Sequence, residues 1–163
     1  MSREPPPVTI RPYAAGDTEP LSALFYASVR EAGRRDYSAK QVAAWAPHPP
    51  RPERVHARAS DGRVLLVAVD ARGEPVAYGD LEADGHIDHL YCRPDAVGTG
   101  VASRLYDALE AVARRQGLPR LYVEASEAAR RLFLRKGFSI VRRRDFVVGG
   151  VEIHNYAMAK TLA

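Results

Sequence analysis

Hydrophobic positions along the chain change their period at residue 63 and again near residue 100, and these changes mark out the elements. Residues 8–11 read as a short strand. Asp17 then offers an N-cap to a helix in which Leu21, Leu24, Phe25 and Val29 recur at helical spacing. Ser38 and Gln41 have the spacing of a capping box, so a second helix opens at Ser38 and stops before Pro47, with Val42 and Trp45 on its buried side. Residues 53–59 add a short turn of helix. From residue 63 the period falls to two. Residues 63–70, 75–82 and 86–93 alternate as strands, joined by turns at 71–74 and at Asp84-Gly85. These connections are too short for crossovers, so the three strands form an antiparallel meander.

A glycine loop over 98–102 leads into a long helix whose buried stripe is Val101, Leu105, Leu109 and Val112, ended by Gly117 and Pro119. A strand over 121–125 follows, then a helix capped by Ser126 and stopped at Gly137. A hairpin over 138–146 and 151–160 closes the chain around Gly149-Gly150. The order β-α-α-β-β-β-α-β-α-β-β predicts an α+β fold with a single mixed, mainly antiparallel central sheet flanked by helices. One domain is expected over 1–163, with 1–7 as a flexible N-terminus.

Composition narrows the function classes. The 163 residues are 46% hydrophobic and 27% charged, a globular rather than a disordered balance. A single cysteine, Cys92, leaves no intramolecular disulfide and no multi-cysteine metal site. His48, His56 and His154 lack metal-ligand spacing, so no metal is expected. The N-terminus has no apolar signal-peptide core, and the longest aliphatic run, 64–69, is far too short to span a bilayer. A cytoplasmic protein with no membrane partner is the expectation. Net charge is +4, but it is unevenly spread: residues 114–144 hold ten basic side chains against Glu124 and Glu127, while 70–95 hold seven acids against Arg72 and Arg93. This split fits nucleic acid, or an anionic ligand at one end and a cationic one at the other.

The informative segment is Leu90-Tyr91-Cys92-Arg93-Pro94-Asp95-Ala96-Val97-Gly98-Thr99-Gly100-Val101-Ala102-Ser103. A strand ends and two glycines sit where a helix begins. Unpaired amides and the positive end of the helix dipole suit a pyrophosphate there, and glycines let it approach the backbone. Taken alone, the loop serves equally well as a plain connection from strand to helix. A Rossmann fingerprint is disfavoured because Ser103 meets its third small position poorly and an antiparallel meander precedes the loop. A Walker loop is disfavoured because no lysine is present.

The segment resembles the Gln/Arg-x-x-Gly-x-Gly/Ala motif of the GNAT superfamily of N-acetyltransferases, with Gly100 and Ala102 in the small-residue places. Ile10-Arg11-Pro12 with Asp17 resembles the family's first strand and helix. Ser126-Glu127-Ala128-Ala129-Arg130-Arg131-Leu132-Phe133-Leu134-Arg135-Lys136-Gly137-Phe138 resembles its later Asn-x-x-Ala-x-x-Leu-Tyr-x-x-x-Gly-Phe segment. Tyr37-Ser38 through Trp45-Ala46-Pro47, with Ile87-Asp88-His89, is similar to a bacterial subgroup of small, mostly uncharacterised members. Three positions depart from the pattern. Val97 stands at the Gln/Arg position, Ser126 at the Asn, and Phe133 where many members carry a tyrosine that protonates the departing thiolate.

The resemblance implies acetyl-CoA as acyl donor, bound where two strands splay apart. The backbone of Leu90, Tyr91 and Cys92 would pair with the pantetheine arm, and amides from Gly98 through Thr99, Gly100, Val101 and Ala102 to Ser103 would hold the pyrophosphate, with Val97 and Ser126 beside them. It also implies direct attack by an amine, with a base on strand 86–93. Strand alternation puts His86, Asp88 and Leu90 on one face and Ile87, His89 and Tyr91 on the other. Position 86 often holds the family's glutamate base, so His86 and Asp88 are the catalytic candidates, acting directly or through water. His89 is expected to pack or hydrogen-bond on the reverse face. Tyr122 and Tyr156 are candidate acids, and Cys92 reads as a small buried residue.

The leading reading is an acetyl-CoA-dependent N-acetyltransferase acting on a small-molecule or peptide amine, as a monomer or homodimer. Asp80, Glu82, Asp84 and Asp88 favour a cationic acceptor. A non-catalytic acyl-CoA-binding domain on the same fold is the alternative, supported by Val97 and Phe133. Nucleic-acid binding lacks a recognised module, and no nucleic acid is expected.

Overall fold

The computed structural model describes residues 7–162, so the expected flexible N-terminus lies, for residues 1–6, outside the described residues. Strand β1 (Thr9–Pro12) is followed by helix α1 (Thr18–Arg30). Asp17 precedes α1 but does not cap it with its side chain. Its carboxylate instead accepts both ends of the Arg11 fork at 2.8 Å and the Ala14 amide at 2.8 Å. A charged bidentate pair outcompetes a single neutral cap. Helix α2 (Ala39–Trp45) opens on the predicted capping box: the Ser38 amide donates to Gln41 at 2.9 Å and the Gln41 amide to Ser38 at 3.1 Å. Tyr37 just before that cap packs in one cluster with Val42, a hydrophobic staple. Helix α3 (Pro52–Ala59) begins with proline in its first turn, where the missing N–H costs nothing.

Strands β2 (Val64–Val69) and β3 (Pro75–Leu81) form the expected antiparallel pair. The third meander strand is not continuous. It divides into β4 (His86–Ile87) and β5 (Leu90–Cys92), with Asp88 and His89 between them. After β5 come α4 (Val101–Arg115), β6 (Arg120–Ala125), α5 (Glu127–Arg135), β7 (Ser139–Val148) and β8 (Val151–Thr161).

The break splits the sheet into two four-stranded halves, β1-β2-β3-β5 and β4-β6-β8-β7, joined through residues 86–92. β5 pairs antiparallel with β3, whereas β4 pairs parallel with β6. Gly85 permits the second pairing. At φ +97° its carbonyl takes the Tyr122 amide at 3.1 Å, and a Cβ there would lie 2.2 Å from the Arg120 carbonyl oxygen. Beyond Ile87 the halves diverge, so β5 and β6 leave a wedge between them. Leu105, Tyr106 and Leu109 of α4 fill the underside of both halves together with Ile87, Leu121, Val123, Phe133, Phe138 and Met158. Leu21 and Leu24 of α1 cover the opposite side of β2 and β3. No helix among the described residues is long and apolar enough to cross a membrane.

Candidate active site

The break at Asp88–His89 has an identifiable cause in Asp80, which is fully buried on β3. Its Oδ1 accepts the backbone amides of both Asp88 and His89, each at 2.9 Å. Two successive amides can face one acceptor only if the pleat is interrupted, which makes this a β-bulge. Asp80 Oδ2 takes Arg58 at 2.9 Å and Arg63 at 2.8 Å. The same guanidiniums reach Asp88 Oδ2, at 2.8 and 3.3 Å. One buried carboxylate therefore fixes the bulge and holds the two guanidiniums that reach the residue on it.

The bulge overturns the face assignment drawn from uniform alternation. Ile87, Leu90 and Cys92 pack toward α4, while Asp88 meets Arg58 of α3 and His89 and Tyr91 meet Phe25 of α1. Leu90 does not share a face with Asp88, and His89 does. His89 nevertheless packs and hydrogen-bonds as expected: its ring stacks on Phe25 at 5.4 Å and its Nδ1 pairs with the Tyr78 hydroxyl at 2.9 Å.

His86 and His89 titrate in opposite directions. Burial works against charge on His86, but hydrogen bonds from Nε2 to Glu124 (2.5 Å) and from Nδ1 to Glu82 (2.8 Å) outweigh it and raise its pKa above 6.5. For His89, burial and the nearby Arg58 cation bring the pKa down to about 4. On acidification the unfolded chain therefore protonates its residue 89 first. Stability is expected to fall as pH drops from about 6.5 toward 4, by on the order of 3 kcal/mol. His86 contributes with the other sign: its stabilisation is complete below 6.5 and is lost as pH rises through its raised folded value. Urea unfolding across pH should give a maximum near neutrality, and His89→Phe should flatten the acid limb; an unchanged limb would contradict the assignment.

Two cavities meet in the wedge. One, of about 600 Å³, is lined by Leu90, Tyr91, Cys92, Val97, Gly98, Gly100, Ala102, Ser103 and Ser126, nine of the eleven residues predicted to hold the cofactor. Of the other two, Thr99 turns its hydroxyl onto the Ala96 carbonyl and Val101 is buried in the core. The other cavity, of about 470 Å³, is lined by both catalytic candidates, His86 and Asp88, and by Glu124, His154, Asn155 and Arg144. Tyr37, Trp45, Leu90, Tyr91, Ser126 and Ala129 border both.

The backbone of the larger cavity suits a phosphorylated, extended ligand. Gly98 and Gly100 adopt φ +80° and +86°, conformations open to glycine. The amides of Gly98, Gly100, Val101 and Ser103 have no backbone acceptor among the described residues, whereas Thr99 bonds Ala96 and the Ala102 amide is directed at Cys92. The His89 carbonyl and the Arg93 amide both bond β3, so alternation turns the N–H and C=O of Leu90 and Cys92 to the open edge of β5. Arg35 and Arg135 line this cavity, as does Arg131, which is paired with Asp36 at 2.9 Å. Most of the basic stretch 114–144 lies elsewhere, in pairs such as Arg114–Glu110, Arg130–Glu127, Lys136–Asp107 and Arg143–Asp145.

Proton donors are few. Phe133 is fully buried against Tyr106 and Phe138. The Tyr122 hydroxyl donates to Asp84, and that of Tyr156 to Glu127 at 2.8 Å. Tyr37, between the cavities, donates to the His154 carbonyl at 2.9 Å and accepts the Glu127 amide at 3.1 Å, and its burial pushes its pKa up to about 12. Burial likewise raises the Cys92 thiol to about 11, consistent with a packing residue. The acids read as favouring a cationic acceptor are largely partnered within the protein: Asp80 by two arginines, Glu82 by His86 and Asp84 by Tyr122. Glu124, Arg144 and Asn155 escaped the sequence reading. Glu124 alternates outward from Val123 and Ala125, which gives its face but not the cleft above it.

Residues 34–160 match the family model described as an acetyltransferase (GNAT) domain. The chain is 28% identical over 151 residues to an uncharacterized N-acetyltransferase, YafP, of Escherichia coli K12, covering 93% of this chain and 94% of that one. A GCN5-related N-acetyltransferase structure from Rhodopseudomonas palustris superposes with a TM-score of 0.88 at 35% identity, over 99% of each chain. A phosphinothricin acetyltransferase from Sinorhizobium meliloti, solved in complex with acetyl-CoA, has the same fold, with a TM-score of 0.77 at 20% identity over 95% of this chain and 88% of that one.

Proposed function

Because the chain belongs to the GNAT family of acetyltransferases, we propose that it is an acetyl-CoA-dependent N-acetyltransferase for a small-molecule or peptide amine, working over the whole chain as one domain. The observation that carries this reading is the adjacency of the two cavities, which share six lining residues beside the unpaired edge of β5. Acetyl-CoA would supply the acetyl thioester. The amides of Gly98, Gly100, Val101 and Ser103 would hold its pyrophosphate, Arg35 and Arg135 would attract its phosphates, and Leu90 and Cys92 would align its pantetheine arm.

An amine in the smaller cavity then lies beside that edge, so alignment does most of the work. As the new C–N bond forms and the C–S bond breaks, the nitrogen gives up a proton and the sulfur leaves as thiolate. Asp88 lines the amine's cavity, and its Oδ1 takes no protein hydrogen bond among the described residues. Burial opposes its charge, but Arg58 and His89 hold its carboxyl below the usual range, so it meets the ammonium as an anion. Asp88 accepts the proton whose loss frees the amine's lone pair, and the proton released as the C–N bond forms passes through cavity water to Glu124. His86, hydrogen-bonded to both Glu124 and Glu82, relays that second proton outward rather than acting as the first base. With Phe133 at the tyrosine position, the thiolate takes its proton from water.

Thiol release from acetyl-CoA, measured against a panel of amines, tests the reading. Turnover on one or more amines is expected. Tight CoA binding with no turnover on any of them would instead favour a non-catalytic acyl-CoA-binding domain.

A further inference from the structure

Arg144 is the cation of the smaller cavity that has no carboxylate partner among the described residues. Its guanidinium donates to Asn155 Oδ1 at 3.2 Å and lies 5.5 Å from the Phe146 ring centroid. Its strand neighbour Arg143 is paired with Asp145, and the arginines near the bulge share Asp80 and Asp88. Arg144 is partly buried on β7 and lines the cavity that also contains Asp88 and Glu124.

Sheet register relates these groups. Glu124 on β6 is opposite Ala157 on β8, and Arg144 on β7 is opposite Asn155 on β8. Residues directly opposite share a face, and so do positions two apart on one strand. Glu124, Ala157, Asn155 and Arg144 therefore share one face. An acid stands at one end and a guanidinium at the other, two strand spacings or about 10 Å across the sheet, with only a methyl group and an amide between. The acid end lies toward the bulge, next to Asp88. The guanidinium end has no acid to balance it, and Asn155 adds a second polar group beside it.

We propose that this face selects a zwitterionic acceptor, an amine that carries an anionic group of its own, with a carboxylate as the simplest case. The inference rests on the acetyltransferase reading of the same site. The amine sits between Asp88 and Glu124, near the donor's open edge. The anionic group takes the Arg144 fork and the Asn155 amide, a geometry that guanidinium provides and a lone ammonium does not. A polyamine would instead place its second cation against Arg144 and is disfavoured.

The test compares matched acceptors: each α-amino acid against its primary amide and its decarboxylated amine, with an aminophosphonate and an ω-amino carboxylate as further arms. The carboxylate-bearing member is expected to lead in kcat/KM by roughly 10- to 100-fold. Arg144→Gln should bring that ratio to within a few-fold of one, mainly through the acceptor KM, and Arg144→Lys should keep part of it. A ratio taken within one variant is insensitive to how much of that variant is folded. The phosphonate and ω-amino arms report which anion and spacing fit best. Calorimetric titration of the CoA-saturated protein with the same compounds needs no turnover. Carboxylate-dependent binding lost in Arg144→Gln supports the site even if nothing is acetylated, an outcome that sinks the enzyme reading alone. Turnover of amines with no carboxylate preference, or a preference that survives in Arg144→Gln, overturns the inference and leaves the enzyme reading intact. Neither binding nor turnover of any compound overturns both.

Discussion

Asp80→Ala is expected to lower the unfolding free energy by about 3–5 kcal/mol, a large part of the 5–15 kcal/mol that domains of this size hold in total. The carboxylate is fully buried and answers four donors: the Asp88 and His89 amides and the Arg58 and Arg63 guanidiniums. Arg63 is itself nearly buried, with 9% of its side chain exposed, so losing Asp80 leaves a desolvated cation next to two unanswered amides. Asp80→Asn should be milder, since an amide oxygen still accepts the backbone pair while the charge on Arg58 and Arg63 is left to Asp88 and Asp61. Urea unfolding of the three proteins checks the order wild type, Asn, Ala. An alanine variant within 1 kcal/mol of wild type, as on an ordinary surface position, would show that Asp80 does not organise the bulge.

A second large effect is expected in the rate rather than in stability. Asp88→Asn should reduce kcat for amine acetylation by roughly 100- to 10,000-fold, the range for loss of a positioned general base. Its cost in folding should be only about 1 kcal/mol, because its pairs are partly exposed and Asp80 and Asp61 still hold the two guanidiniums. The KM for acetyl-CoA should hold steady, because Asp88 does not line the donor's cavity. The residual rate should climb with pH as free amine replaces ammonium in solution, a dependence that a purely structural role would not produce. A variant within a few-fold of wild type at neutral pH would remove Asp88 from the chemistry.

The two halves of the site differ in how far they can be read from sequence. The donor side is local. A strand, a turn and a helix start lie within fourteen residues, Leu90 to Ser103, and glycine at positions 98 and 100 is demanded by backbone conformation alone. Nine of the eleven predicted cofactor residues accordingly line one cavity. The acceptor side is assembled from α1, β4, β6, β7 and β8, which no periodicity brings together. Alternation failed there at one identifiable point, because a buried carboxylate from a neighbouring strand pulled two successive amides the same way.

The triple Arg142-Arg143-Arg144 shows the same limit. In sequence it is a run of like charges. In the fold a bulge beside Val141 sets its register against β8, Arg143 turns to Asp145, and Arg144 enters the cleft.

The chain by itself determined the order of its strands and helices, the capping box at Ser38, the glycine loop and the family resemblance. Each of these depends on residues close together in sequence or on fixed backbone preferences. Tertiary structure alone decided where the sheet divides, which acids are already partnered by arginine and histidine, and which cation of the smaller cavity has no carboxylate partner among the described residues. Those outcomes depend on burial and on partners tens of residues away, and a side chain's charge has chemical meaning only once its neighbours are known.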